Sequence, residues 1–385
     1  MSSCSVMKTA KVLKKGSVEE KDFFSSFNFE YEKLIKIPVN INGKTYKFIF
    51  DTGAGSSVLS ESVASSLGLK PVTKTKTLDS QGNESTRSIY VIDTITIGGV
   101  QFINQPFVSA DLSKIACVGS DFDGIIGSNL MSKAIWYIDN IQKSITLTND
   151  KKKLKALPNS QVVSFKTFNS GPIQNLNPLI NLEIPQFVNN KMILFDMGSA
   201  GGVKISKNMV DENATLPTLY SVGNALQGLF GRSKIDTTFY TSTNALNFGG
   251  IKIQENVEIA LKNTKSANVG MQFLRNFNLI LDWNLNEITF SKNTNIEKSD
   301  QLKYGFRIGV DNATVVVNEL LNQSQAQKGG LLLGDRVLQI DQINFENDLN
   351  NCNSVELFEN LDKNEINLKV ERNGQSLNFV ISKGY

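Results

Sequence analysis

The amino-acid sequence predicts a mainly β, bilobal protein with a smaller β module at its C-terminal end. Three observations carry this. Short apolar runs alternate with turn dipeptides along most of the chain, with few long helical periodicities. One set of landmarks recurs once, in the same order and at a nearly constant offset. Polar breaks at 149–160 and 292–301 separate the stretches that carry these patterns.

In chain order, residues 1–30 are polar and Lys-rich and read as a disordered or tether segment. The stretch 31–150 reads as a first β lobe, with turn signals at Asn42-Gly43, Gly82-Asn83 and Gly98-Gly99. The stretch 160–292 reads as its second copy, and 301–385 as a separate domain. The repeat is visible at three places. Phe48-Ile49-Phe50-Asp51-Thr52-Gly53 is answered by Ile193-Leu194-Phe195-Asp196-Met197-Gly198, with the two Asp 145 residues apart. Ile97-Gly98-Gly99-Val100 is answered by Phe248-Gly249-Gly250-Ile251. The run from Ile126-Gly127 through Ile138-Asp139 to Ile145-Thr146 is answered, at an offset of 143 without a gap, by Val269-Gly270 through Leu281-Asp282 to Ile288-Thr289.

Composition narrows the chemistry. The 385 residues include no His, which excludes Ser-His-Asp triads, Cys-His dyads and His-ligated zinc. Three Cys (Cys4, Cys117, Cys352) without a C-x-x-C pair form neither a thiolate metal cage nor a disulfide framework. A formal charge of +3 over this length is no polyanion-binding footprint, so nucleic acid is not an expected partner. No segment approaches the roughly 18 apolar residues of a membrane span. Hydrolysis by this chain would rest on carboxylates, hydroxyls, Lys or an oxygen-ligated metal.

The repeated Asp-x-Gly turns supply such chemistry. Each Asp follows a buried apolar strand, so its carboxylate emerges at the edge of a core. The Gly two residues on permits a tight turn and close approach of backbone N–H groups. If the lobes pack with pseudo-two-fold symmetry, Asp51 and Asp196 meet at the joint. Two carboxylates so placed share one proton and titrate as a pair. The ionised member can serve as general base for a water, and the protonated member can polarise a carbonyl. No cofactor and no metal are required.

Phe50-Asp51-Thr52-Gly53-Ala54-Gly55-Ser56-Ser57-Val58-Leu59 resembles the active-site turn of retropepsin-like and pepsin-like aspartic proteases. Asp123-Gly124-Ile125-Ile126-Gly127 is similar to the family's apolar-apolar-Gly element beside that turn. The resemblance covers roughly Leu34 to Ser291. It implies the bilobal aspartic-protease (acid-protease) β-barrel fold and peptide or protein substrates, with Asp51 and Asp196 as catalytic residues. It makes Thr52 the hydroxyl that bridges the lobes, Gly53 and Gly198 the supporting N–H groups, and Ser199 a hydroxyl donor to the outer carboxylate oxygen. Met197 departs from the usual Thr or Ser, and half of the reciprocal interlobe lock is expected to be lost there. Hairpins at Thr75 to Arg87 and Tyr220 to Ile235 are candidate flaps. Asp139 and Asp282 read as structural turn residues.

The C-terminal run Ser324-x-Ala326-x-x-Gly329-Gly330-Leu331-x-x-Gly334-Asp335-Arg336-Val337-Leu338-Gln339-Ile340 resembles the core of a PDZ domain. That resemblance implies a peptide site at Gly305, Phe306, Arg307 and Ile308, where an extended peptide adds to a strand and loop N–H groups hold its terminal carboxylate. The Asn353 to Leu361 segment would form the helical wall of the groove. Ser2-Ser3-Cys4-Ser5 resembles the end of a bacterial lipobox, which implies lipidation at Cys4 and a periplasm-facing lipoprotein of the bacterial envelope. A genuine start at Met1 implies the cytoplasm instead. The leading expectation is a monomeric aspartic endopeptidase. The alternatives are a non-catalytic peptide-binding protein on a degenerate protease body, and a homodimer using two copies of Asp51.

Overall fold

The computed structural model describes residues 3–112, 115, 122–168, 175–185, 187–225, 227–264, 267–296, 302–311, 314–346 and 352–384; the side chains of 3–6 and 227 are not described. Cys4 lies in the helix Ser3–Leu13, but its side chain, like the whole of Cys117, is outside the described set. Cys352 is disulfide-bonded, the single bridge that three cysteines permit.

The protein is mainly β. The two Asp-bearing strands sit in matching surroundings. Lys44–Phe50 runs parallel to Gly124–Ile126, which is antiparallel to Val58–Ser60, itself parallel to Val100–Ala110. Val188–Phe195 runs parallel to Asn268–Val269, which is antiparallel to Val203–Ser206, itself parallel to Val257–Lys262. The continuous apolar character of Phe48-Ile49-Phe50 and Ile193-Leu194-Phe195 follows from this placement, since a strand flanked on both edges and covered on its faces tolerates few polar side chains.

A six-stranded sheet joins the halves. Ile135–Asp139 pairs antiparallel with Phe277–Asp282, with Tyr137 facing Ile280. Those two residues are 143 apart, the offset of the sequence repeat, so each stands opposite its own counterpart. An antiparallel pairing of a strand with its copy in that register places a local two-fold axis between them. Asp139 Oδ1 accepts from the N–H groups of Ile141 and Gln142, and Asp282 Oδ1 from those of Asn284 and Leu285. Both are turn residues, as the sequence indicates.

One expectation is overturned. Residues 1–30 are not a tether: Phe24–Asn28 is an edge strand of the six-stranded sheet, paired with Ser144–Thr148, and Ser17–Val18 pairs with Val100–Ala110. Phe23 and Phe29 are buried. The polar composition conceals aromatic residues spaced to cover one end of the core.

One apolar core, including Phe48, Phe50, Trp136, Phe195 and Phe290, runs through both halves. A second core, including Tyr304, Phe306, Val337, Phe358 and Val370, fills the C-terminal unit. The unit is joined to the second half by sheet: Tyr220–Gly223 pairs antiparallel with Thr314–Leu321.

Candidate active site

The sequence-predicted carboxylates converge. Asp51 closes its strand with its N–H on Ile126 O at 3.0 Å, and Asp196 does the same on Val269 O at 3.0 Å. Both bonds link the Asp turn to the apolar-apolar-Gly element and so aim the two side chains equivalently. Within each turn the carboxylate accepts backbone N–H groups. Asp51 Oδ1 accepts from Gly53 at 2.7 Å and Ala54 at 3.1 Å; Asp196 Oδ1 accepts from Gly198 at 3.1 Å.

The glycines also face across the joint. A methyl group built on Gly53 would overlap the carboxylate of Asp196, and one on Gly198 would overlap that of Asp51. The absence of a side chain at both positions is what lets the turns interleave. The two carboxyl groups hydrogen-bond to one another. Asp196 is buried and Asp51 half-buried.

Thr52, fully buried, fastens the turns together. Its hydroxyl donates to Phe195 O at 2.7 Å and accepts from Met197 N–H at 3.0 Å. Ser128 Oγ holds Thr52 O at 2.7 Å from below, and Asn177 Nδ2 reaches from the second half to Gly53 O at 2.5 Å. Met197, where a lost hydroxyl is expected to weaken the lock, instead packs into the apolar core while its backbone N–H completes the Thr52 bridge.

Ser199 departs from expectation. The outer oxygen of Asp196, Oδ2, accepts from Asn268 Nδ2 at 2.6 Å. Ser199 acts through its backbone, donating to Asp196 O at 3.2 Å and accepting from Met271 N–H at 2.7 Å. Asn268 escaped the sequence reading because one Asn in a short strand has no motif. The repeat alignment would have exposed it, since Asn268 stands where the first copy has Ile125.

Electrostatics separate the two carboxyls. Burial foremost, then the charge of Asp196, holds Asp51 well above the ordinary aspartate range, against the pull of the Gly53 and Ala54 N–H groups. Burial also raises Asp196, but the Asn268 amide, the Lys204 charge and the Gly198 N–H oppose it. The bond between the carboxyls favours the proton on Asp51 and the charge on Asp196. Among the described residues, no group of three or more Cys, Asp or Glu gathers as a metal cage.

Both candidate flaps are hairpins, and their tips meet. Thr73–Leu78 pairs with Glu84–Ile97, and Asp79 Oδ1 caps the intervening turn through the N–H groups of Gln81 and Asn83, each at 2.9 Å. Asp79 Oδ2 accepts the Phe230 N–H from the other tip at 2.9 Å. Arg87 lies over the Phe230 ring at 4.8 Å. Tyr220 is an ordinary strand aromatic, its ring 5.6 Å from that of Phe239.

In the C-terminal unit the four sequence-predicted residues lie together. Gly305 has φ +78° and abuts Ser324, where a side chain has no room. Phe306 is buried and stacks at 5.4 Å on Phe358 of the helix Cys352–Glu359, and Ile308 is buried beside it. The Arg307 guanidinium pairs with Glu319 at 3.3 Å. Glu319 in turn accepts from Tyr240 Oη at 2.9 Å and from Ser221 Oγ, both in the second half.

Comparison with known proteins gives one finding. Residues 37–130 match the family model described as aspartyl protease. The matched stretch includes the Asp51 turn and Asp123-Gly124-Ile125-Ile126-Gly127, and ends before Asp196. It supports an aspartyl protease domain there and, in general terms, aspartic protease activity. No curated protein matches the chain.

Proposed function

We propose that this chain is an aspartic endopeptidase in which Asp51 and Asp196 together activate one water. The observation that carries the reading is the interleaving of the two Asp-x-Gly turns, with each glycine set against the opposite carboxylate and Thr52 bonded across the joint. Asp196, ionised, takes a proton from the water as its oxygen adds to the substrate carbonyl carbon. Asp51 delivers its proton to the carbonyl oxygen, and a neutral gem-diol forms. As the C–N bond breaks, the amine nitrogen receives the proton held by Asp196 and Asp51 recovers one from a gem-diol hydroxyl. Acid and amine leave, and the pair again holds one proton.

The hairpins that meet at Asp79 and Phe230 would act as flaps over an extended substrate. The C-terminal unit, PDZ-like in its motifs, would take polypeptide ends by strand addition beside Phe306–Asp311. Cleavage of an unfolded protein by the purified chain, lost to background in Asp51→Asn and in Asp196→Asn and blocked by a hydroxyl-bearing statine peptide, is the expected result. Full activity in either variant overturns the mechanism. Saturable binding of carboxyl-terminal peptides without turnover between about pH 3 and 8 would establish the non-catalytic alternative.

A further inference from the structure

The two Asp turns are copies, but what stands behind them is not. In the paired strands Asn268 stands opposite Lys204 where the first half has Ile125 opposite Val58, so Lys204 occupies the place of Val58 and Asn268 that of Ile125. The equivalence holds in three dimensions: Ser128 N–H bonds Ala54 O in the first half, and Met271 N–H bonds Ser199 O in the second. Behind Asp51 the equivalent cross-strand pair is Val58 opposite Ile125, both buried hydrocarbon. Behind Asp196, Lys204 lies directly opposite Asn268 in the antiparallel register, so both side chains leave the sheet on the same face. On that face Asn268 Nδ2 reaches Asp196 Oδ2 at 2.6 Å.

We propose that Lys204 and Asn268 are positioning residues that keep the negative charge of the pair on Asp196 and its proton on Asp51. The inference rests on the dyad reading above and deepens it. A pair walled by hydrocarbon on both sides could hold its proton on either member. Here one side offers an amide donor and an ammonium, and the other offers neither. A singly charged pair beside one ammonium is also electrically neutral as a cluster, which favours the working ionisation state at more acidic pH than hydrocarbon walls would.

The charges that face this cluster act in series. Asp51 and Lys204 act on Asp196; Asp196 and Lys262 act on Lys204; Glu319, Asp236 and Arg307 act on Lys262. Burial draws the Lys204 ammonium below its ordinary value, the Asp196 charge opposes this, and Lys262 adds to it.

The test is the pH profile of kcat/KM for the full chain on one fluorogenic peptide that the wild type cleaves. Lys204→Met is expected to move the acid limb upward by about one pH unit, with KM little changed. Lys204→Arg, which keeps the charge, is expected to return the limb toward its wild-type position. Should Lys204→Met not fold, the double variant Lys204→Val with Asn268→Ile copies the packed first-half pair Val58 and Ile125 and carries the same expectation. A wild type that cleaves, an inactive Asp51→Asn and an acid limb unmoved in the Lys204 variants would sink this inference alone. Undiminished cleavage by Asp51→Asn would instead remove the dyad on which it rests.

Discussion

At the scale of single residues, the site is built from groups that are small, buried or both. Gly53 and Gly198 matter for the volume they leave empty, because each yields its space to the opposite carboxylate. Placing two carboxyls there works against folding. Burial raises both above the ordinary aspartate value of 3.8, so their contribution to stability is fully present below that value and is lost as pH rises through the raised ones. Asp51→Asn removes one of these groups. We expect it to raise the unfolding temperature by a few degrees near neutral pH, with the gain shrinking to nothing as pH falls toward about 3.8. Calorimetry across that range checks the sign, and a gain independent of pH would contradict it.

At the scale of elements, the two hairpin tips are fastened to one another because they share a single acceptor group. Asp79 closes its own turn with one oxygen and holds the other tip with the second. The second hairpin is tied elsewhere as well: Arg232 Nη2 donates to Val310 O of the C-terminal unit at 2.6 Å. Asp79→Ala removes four hydrogen bonds from the tips, counting that from Asn83 Nδ2 at 3.1 Å. Hydrogen exchange at 79–83 and 228–231 should then speed up together, by about tenfold or more, while the strands beneath keep their protection. Faster exchange in the first tip alone would show that the tips are independent.

At the scale of the molecule, two sheet continuities hold the parts together. The six-stranded sheet needs the N-terminal strand Phe24–Asn28 at its edge. Deleting residues 1–30 should lower the unfolding temperature by about 5 °C or more and promote association through the bared edge of Ser144–Thr148; an unchanged melt would restore the tether reading. The second continuity is the Tyr220–Gly223 pairing with Thr314–Leu321, centred on buried Glu319. Burial pushes this carboxyl up, but Arg307 first, then Ser221, Tyr240 and Lys262, carry it below the ordinary glutamate value. A depressed value gives stability that is present above the ordinary 4.5 and lost as pH falls through the depressed one. Glu319→Ala leaves Arg307 without its partner and should cost about 3 kcal/mol at neutral pH. Glu319→Gln should flatten the acid end of the stability profile.

The sequence alone determined the strand-rich character, the repeat and the two Asp-x-Gly turns. These are local statements: an apolar run entering a turn, a glycine where a side chain would not fit, and the same run met again further along. Even Asp139 and Asp282 were legible, because a turn Asp acts on N–H groups two and three residues ahead. What only the tertiary structure decided depends on register between distant strands. Asn268 reaches Asp196 and Lys204 stands beside it because three short strands align at one residue's precision, and a slip of one position would turn those side chains to the opposite face. Phe24–Asn28 becomes a sheet edge, and Arg307 turns to Glu319, for the same reason. A polar residue in a β-strand is ambiguous until its neighbours across the sheet are known.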